Sequence, residues 1–128
     1  MSNINDFKLT ENFRLYEFEC THQDHRHVKL SKNLVIKLQE LRYELSRPMI
    51  ITSGYRCEER NRQVNGSPNS QHLRGTAADI SIRNQSKSIE EIAELAKDIG
   101  FTGIGYYNTF IHLDVRKLPK HITQKVIT

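Results

Sequence analysis

A chain of 128 residues is one domain by the usual prior, long enough to bury roughly two-thirds of the surface that its unfolded form exposes. A hydrophobic fraction of 37% and a mean hydropathy of -0.62 indicate a soluble chain with a modest core, and no apolar run approaches the roughly 20 residues of a membrane-spanning helix. The net charge of +4 favours anionic partners, but Lys and Arg alternate with Glu and Asp in most segments and no recognition motif accompanies them, so nucleic acid is not the expected partner.

Met1 to Asp6 has neither a positive start nor an apolar stretch, so no secretory signal is expected. Phe13, Leu15, Tyr16 and Phe18 stand among charges and read as an early strand or turn packed on the core. Cys20, His22, His25 and His27 then cluster, but Cys-x-His-x-x-His-x-His fits no strong metal-binding spacing, and an exposed polar loop is the expectation. Ser31 is placed to cap a helix through about Leu45, with Leu34, Val35, Leu38, Leu41 and Leu45 at helical spacing. Such a stripe forms core and needs no cofactor. Pro48 introduces a strand over Met49 to Thr52, and Cys57 to Val64 read as a short helix ended by Asn65-Gly66. Cys20 and Cys57 permit one disulfide, or two free thiols, but no disulfide framework.

Ala77 to Ile82 reads as a short strand with Ala78, Ile80 and Ile82 on one face and Ala77, Asp79 and Ser81 on the other. Ser88 with Glu91 forms a capping box that opens a second helix, with Ile89, Ile92, Ala93, Ala96 and Ile99 inward and Gly100 ending it. Gly103 and Gly105 flank the approach to a strand over Phe110 to Val115, in which Ile111, Leu113 and Val115 oppose His112 and Asp114. Tyr106 and Tyr107 either line a groove or pack on the core. The tail from Lys117, which contains Pro119, adds an edge strand or frays. No internal repeat, low-complexity tract or linker divides the chain, so residues 1–128 are expected to form a single domain with a core of about 13–116.

The polar faces of the two strands and the loop at Pro68 to Gly75 can converge. They would bring together His72, Asp79 and His112, two imidazoles and a carboxylate that suit a three-ligand zinc site with an open fourth position. A structural zinc more often has four ligands rich in Cys, and only two Cys are present. Taken singly, each of these residues is more often a hydrogen-bonded or solvated strand residue; the combination is what points to metal-assisted hydrolysis.

Ser-x-His-x-x-Gly-x-Ala-x-Asp over Ser70 to Asp79, preceded by Ser53-Gly54-Tyr55-Arg56 and followed by Gly103-Ile104-Gly105-Tyr106 and His112-Leu113-Asp114, resembles the zinc D-Ala-D-Ala carboxypeptidase and L-Ala-D-Glu endopeptidase family, in a small single-domain branch. The likeness runs from about Leu15 to Arg116. It implies an α+β fold, a small antiparallel sheet with flanking helices, shared with the zinc-binding domain of Hedgehog signalling proteins. It also implies one Zn2+ ion held by His72, Asp79 and His112, and a role for Arg56 in binding substrate or stabilising the oxyanion. Ser70 and Tyr106 become candidate substrate contacts, although Ser70 reads as readily as a turn hydroxyl. Many relatives carry an acid three residues before the last ligand, where this chain has Thr109. Asp114 is then the nearest acid, either the catalytic base or a residue that orients a ligand.

The activity implied is hydrolysis of peptidoglycan stem peptides at the cell wall by a monomer, since no heptad or long exposed apolar stripe argues for assembly. Synthesis in the cytoplasm with no signal then calls for release in the manner of a phage lysin, or for packaging in a particle. The other function class is a non-catalytic wall-binding or particle-structural module that keeps the metal.

Overall fold

The computed structural model describes residues 4–21 and 26–127. Helix α1 (Lys32–Leu45) begins at Ser31, whose hydroxyl accepts the Leu34 N–H, and stops at Ser46 in the left-handed region. Leu34, Val35, Leu38, Leu41 and Leu45 are all buried, so its apolar stripe is core. After α2 (Glu58–Gln63), helix α3 (Ile89–Ile99) opens with reciprocal bonds between Ser88 and Glu91 and closes on Gly100. Ile92, Ala93 and Ala96 point inward, with Ile89 and Ile99 at the margin of the core.

Five strands, β1 (Ile51–Ser53), β2 (Ala77–Ser81), β3 (Gly103–Tyr106), β4 (Phe110–Asp114) and β5 (Lys125–Ile127), form one sheet in the order β1-β2-β4-β3-β5. The first four pair antiparallel. The tail strand β5 joins the β3 edge in parallel, so the small sheet is mixed. Strand β1 starts later than Met49, which is buried in the core, and its register slips between Ile51 and Ser53.

Alternation divides the sheet cleanly. Ala78, Ile80, Ile104, Ile111 and Leu113 join the helices in one core, because residues paired across strands share a face. The opposite face carries Asp79, His112 and Asp114, with Gly103 and Gly105 beside them.

The segment before α1 forms a 3-10 turn (Leu15–Phe18), with Phe13 and Phe18 buried against each other, ring centroids 5.9 Å apart. The Phe18 carbonyl accepts the Tyr55 N–H at 2.8 Å. A Cβ on Gly54 would lie 2.7 Å from the Phe18 backbone, so the missing side chain lets the two segments touch. That contact anchors the stretch that delivers Arg56.

Candidate metal centre

Asp79 and His112 are direct cross-strand partners on β2 and β4, which stands both side chains on the polar face. His72 reaches them from a 3-10 turn (Gln71–Arg74). Ser70 caps this turn by accepting the His72 N–H, and Gly75 closes it at φ 71. A side chain at Gly75 would sit 2.3 Å from the Lys29 carbonyl oxygen, so the turn presses against the segment entering α1.

One donor atom from each residue falls within 4.8 Å of the others. His72 Nε2 is 3.2 Å and His112 Nδ1 is 3.0 Å from the same oxygen, Asp79 Oδ1. The remaining ring nitrogens are also held. His72 Nδ1 donates to the Gly54 carbonyl at 2.7 Å; a carbonyl only accepts, so this nitrogen carries the proton and Nε2 offers its lone pair. His112 Nε2 lies 2.7 Å from Asp114 Oδ2, and an ionised carboxylate likewise demands the N–H there. Imidazoles that bind metals donate their second N–H to a carbonyl or carboxylate in this way. Two nitrogens and one oxygen facing a shared gap therefore fit a zinc ion, with room for a further ligand.

The charges agree with the geometry. Burial works against the Asp79 charge. In the metal-free site, with protons rather than an ion between the rings and the carboxylate, bonds from His112 and His72 and their charge outweigh it and hold the carboxyl at about 2. Burial also opposes the Asp114 charge, and bonds from Arg116 and His112 bring that carboxyl down to about 2. Burial pushes the His112 imidazole down, and the bonds and charges of Asp114 and Asp79 raise it on balance.

A cleft of about 910 Å³ opens over these residues. Arg56, Arg60, Arg116 and Lys125 line it, and among the described residues Asp79 is the only carboxylate that does. The Arg56 N–H donates to the His72 carbonyl at 3.1 Å, and its Nη2 donates to Ser70 Oγ at 3.4 Å. Its Nε is buried without a hydrogen-bond partner. Burial lowers the Arg56 pKa, and the negative charge of Asp79 opposes this.

Not every residue singled out in the sequence reaches the cleft. Tyr106 pairs with the core residue Ile111 and lies outside the cleft lining; Tyr107 lines it instead, stacked on Phe110 at 4.4 Å. Asp114 shares the face of His112 but is 0% exposed and also lies outside the lining. Thr109 is exposed, and its carbonyl accepts the Ile82 N–H at 3.1 Å. Arg116 was not expected from sequence. The alternation that puts Asp114 on the face of His112, carried two residues further, would have found it. Of the Cys20 cluster, His22 and His25 lie outside the described residues. Cys20 and Cys57 are not disulfide-bonded, although the Cys57 N–H donates to Cys20 Sγ at 3.3 Å.

A small α+β core gathers two imidazoles and a carboxylate that could hold a metal ion under an open cleft. The sequence matches the Peptidase M15 family over residues 11–114, and the chain belongs to that family of zinc-dependent peptidases. A search of curated proteins gave no match. Among the described residues no helix is long and apolar enough to cross a membrane.

Proposed function

We propose that this protein is a zinc-dependent peptidase that hydrolyses peptide bonds in peptidoglycan stem peptides, acting at the cell wall, with His72, Asp79 and His112 holding one zinc ion. The observation that carries the reading is the shared gap between one nitrogen of each imidazole and Asp79 Oδ1, with the opposite nitrogens engaged by Gly54 and Asp114. Zinc, when bound, supplies Lewis acidity toward a peptide carbonyl and toward water.

The chain's own groups do the rest. Arg56 lines the cleft and offers the positive fork of its guanidinium to a substrate oxygen that gains negative charge. Ser70 steadies Arg56 while it caps the turn of His72. Asp114 is buried, with both oxygens engaged, which favours the role of orienting His112 over that of general base. Among the described lining residues Arg56, Arg60 and Lys125 outnumber the acid Asp79, while Arg116 is paired with Asp114. This surplus suits a peptide with free carboxylates, which stem peptides are.

One observation favours a second reading. Among the described residues no carboxylate other than Asp79 lines the cleft, as in a non-catalytic wall-binding module that keeps its metal. Mass spectrometry of purified muropeptides incubated with the zinc-loaded protein, against a chelated control, separates the two. Loss of one terminal Ala identifies a carboxypeptidase, and a cut inside the stem an endopeptidase. No chelator-sensitive product from several stem types would leave the binding module.

A further inference from the structure

We infer that Arg116 is a positioning residue of the metal centre: its guanidinium fork locks the Asp114 carboxylate, and through that carboxylate sets the ring of His112. The inference rests on the zinc reading of His72, Asp79 and His112 and extends it to a residue beyond the matched family segment, which ends at 114.

Arg116 Nε donates to Asp114 Oδ1 at 2.9 Å and Nη2 donates to Oδ2 at 2.6 Å. The Arg116 backbone N–H adds a third bond, to Oδ1, at 3.2 Å. A planar fork holding both oxygens fixes the plane of a carboxylate as well as its position. Beneath it, β3 has no side chain: a Cβ on Gly103 would lie 2.1 Å from Oδ1 and 2.2 Å from Oδ2. The carboxylate is thus laid against the β3 backbone from one side and gripped by Arg116.

With its plane fixed, Oδ2 is held 2.7 Å from His112 Nε2, and Nδ1 of the same ring is aimed at the gap beside Asp79. Without the fork, the carboxylate would keep only the Arg116 backbone N–H and His112 and could turn about its Cβ–Cγ bond. His112 would lose a rigid partner, and a ligand left free to turn must be ordered again when metal binds. Lysine at this position would restore the charge but not the fork.

The test uses the full chain and compares wild type, Arg116→Gln and Arg116→Lys by three measurements: zinc affinity in competition with a chromophoric chelator, the visible spectrum of the cobalt-substituted protein, and melting of the metal-free protein. Arg116→Gln is expected to bind zinc about 10–100-fold more weakly, the usual loss when the partner behind a ligating imidazole is disturbed, and to shift the cobalt bands. Arg116→Lys should fall between the two. A melting change alone, with zinc affinity within about twofold of wild type and unchanged cobalt bands, would overturn the inference and leave Arg116 a merely structural residue. Should Arg116→Gln fail to fold, Arg116→Lys decides by the same pair of readouts. A wild-type protein that takes up no zinc rejects the metal reading itself, and the inference with it; the wild-type titration tells that outcome from the first.

Discussion

Replacing Gly103 by Ala tests the packing beneath the metal centre. Gly103 is not among the glycines with positive φ, so Ala can adopt its backbone, and chain entropy alone would favour Ala by about 0.4–1 kcal/mol. Sterically the change is severe. The new methyl would lie 2.1–2.3 Å from the carboxyl atoms of Asp114, where carbon and oxygen normally approach to about 3.3 Å. Gly103 is paired on both sides, to Asp114 of β4 and Lys125 of β5, so the side chain of Asp114 must yield, by about 1 Å. Bonds of 2.6, 2.7 and 2.9 Å to Arg116 and His112 do not survive such a shift. Overpacking alone costs about 1–3 kcal/mol, and stripping a buried carboxylate of its partners about 3–5 kcal/mol. These are alternative ways to relieve one clash, so they are not summed, and a loss of about 3 kcal/mol is expected. In a domain of this size that lowers the melting temperature by roughly 10 °C. Urea and thermal melts of the metal-free protein measure it, and a zinc titration should show weaker binding. A Gly103→Ala protein that melts within about 2 °C of wild type and binds zinc equally well would refute the tight seat proposed for Asp114.

Four further outcomes are expected. His72→Ala should abolish stoichiometric zinc uptake; full retention would remove His72 from the ligand set. Asp114→Ala at saturating zinc should keep kcat within about tenfold of wild type, because a lost general base costs about 100-fold or more; a loss of that larger size would return Asp114 to the role of base. Arg56→Ala should lower kcat/KM by about 100-fold or more, as for an oxyanion donor, with little change in zinc affinity, and unaltered turnover would leave Arg56 a structural residue. Finally, metal-free stability should depend on pH at both ends. The raised His112 pKa gives stability that is complete below about 6.5 and is lost as pH rises through the folded value. Asp79 and Asp114, held at about 2, contribute fully above about 4 and lose their contribution as pH falls toward that folded value. Zinc affinity should move oppositely at the high end and rise with pH, since ligands must shed their protons. Melts in chelator from pH 3 to 9 that stay flat above about pH 6.5 would count against the His112 pairing.

Much of the local structure was legible in the chain. Ser31, the Ser88–Glu91 box and Gly100 mark helix ends by bonds that span only a few residues, and the stripe from Leu34 to Leu45 states which side is core. Alternation along β2 and β4 likewise separates Ile80 and Ile111 from Asp79 and His112. Other features came only with the tertiary structure: the order β1-β2-β4-β3-β5, the parallel attachment of β5, the later start of β1, and the choice of Tyr107 over Tyr106 for the cleft. The same holds for which nitrogen of each imidazole faces the gap, and for the clamp of Arg116 on Asp114 over the bare backbone of Gly103. Capping and periodicity are set by neighbours along the chain, within a few residues. The site depends on pairing between segments as far apart as Asp79 and His112, 33 residues, and strand register is chosen by the burial of a whole face at once.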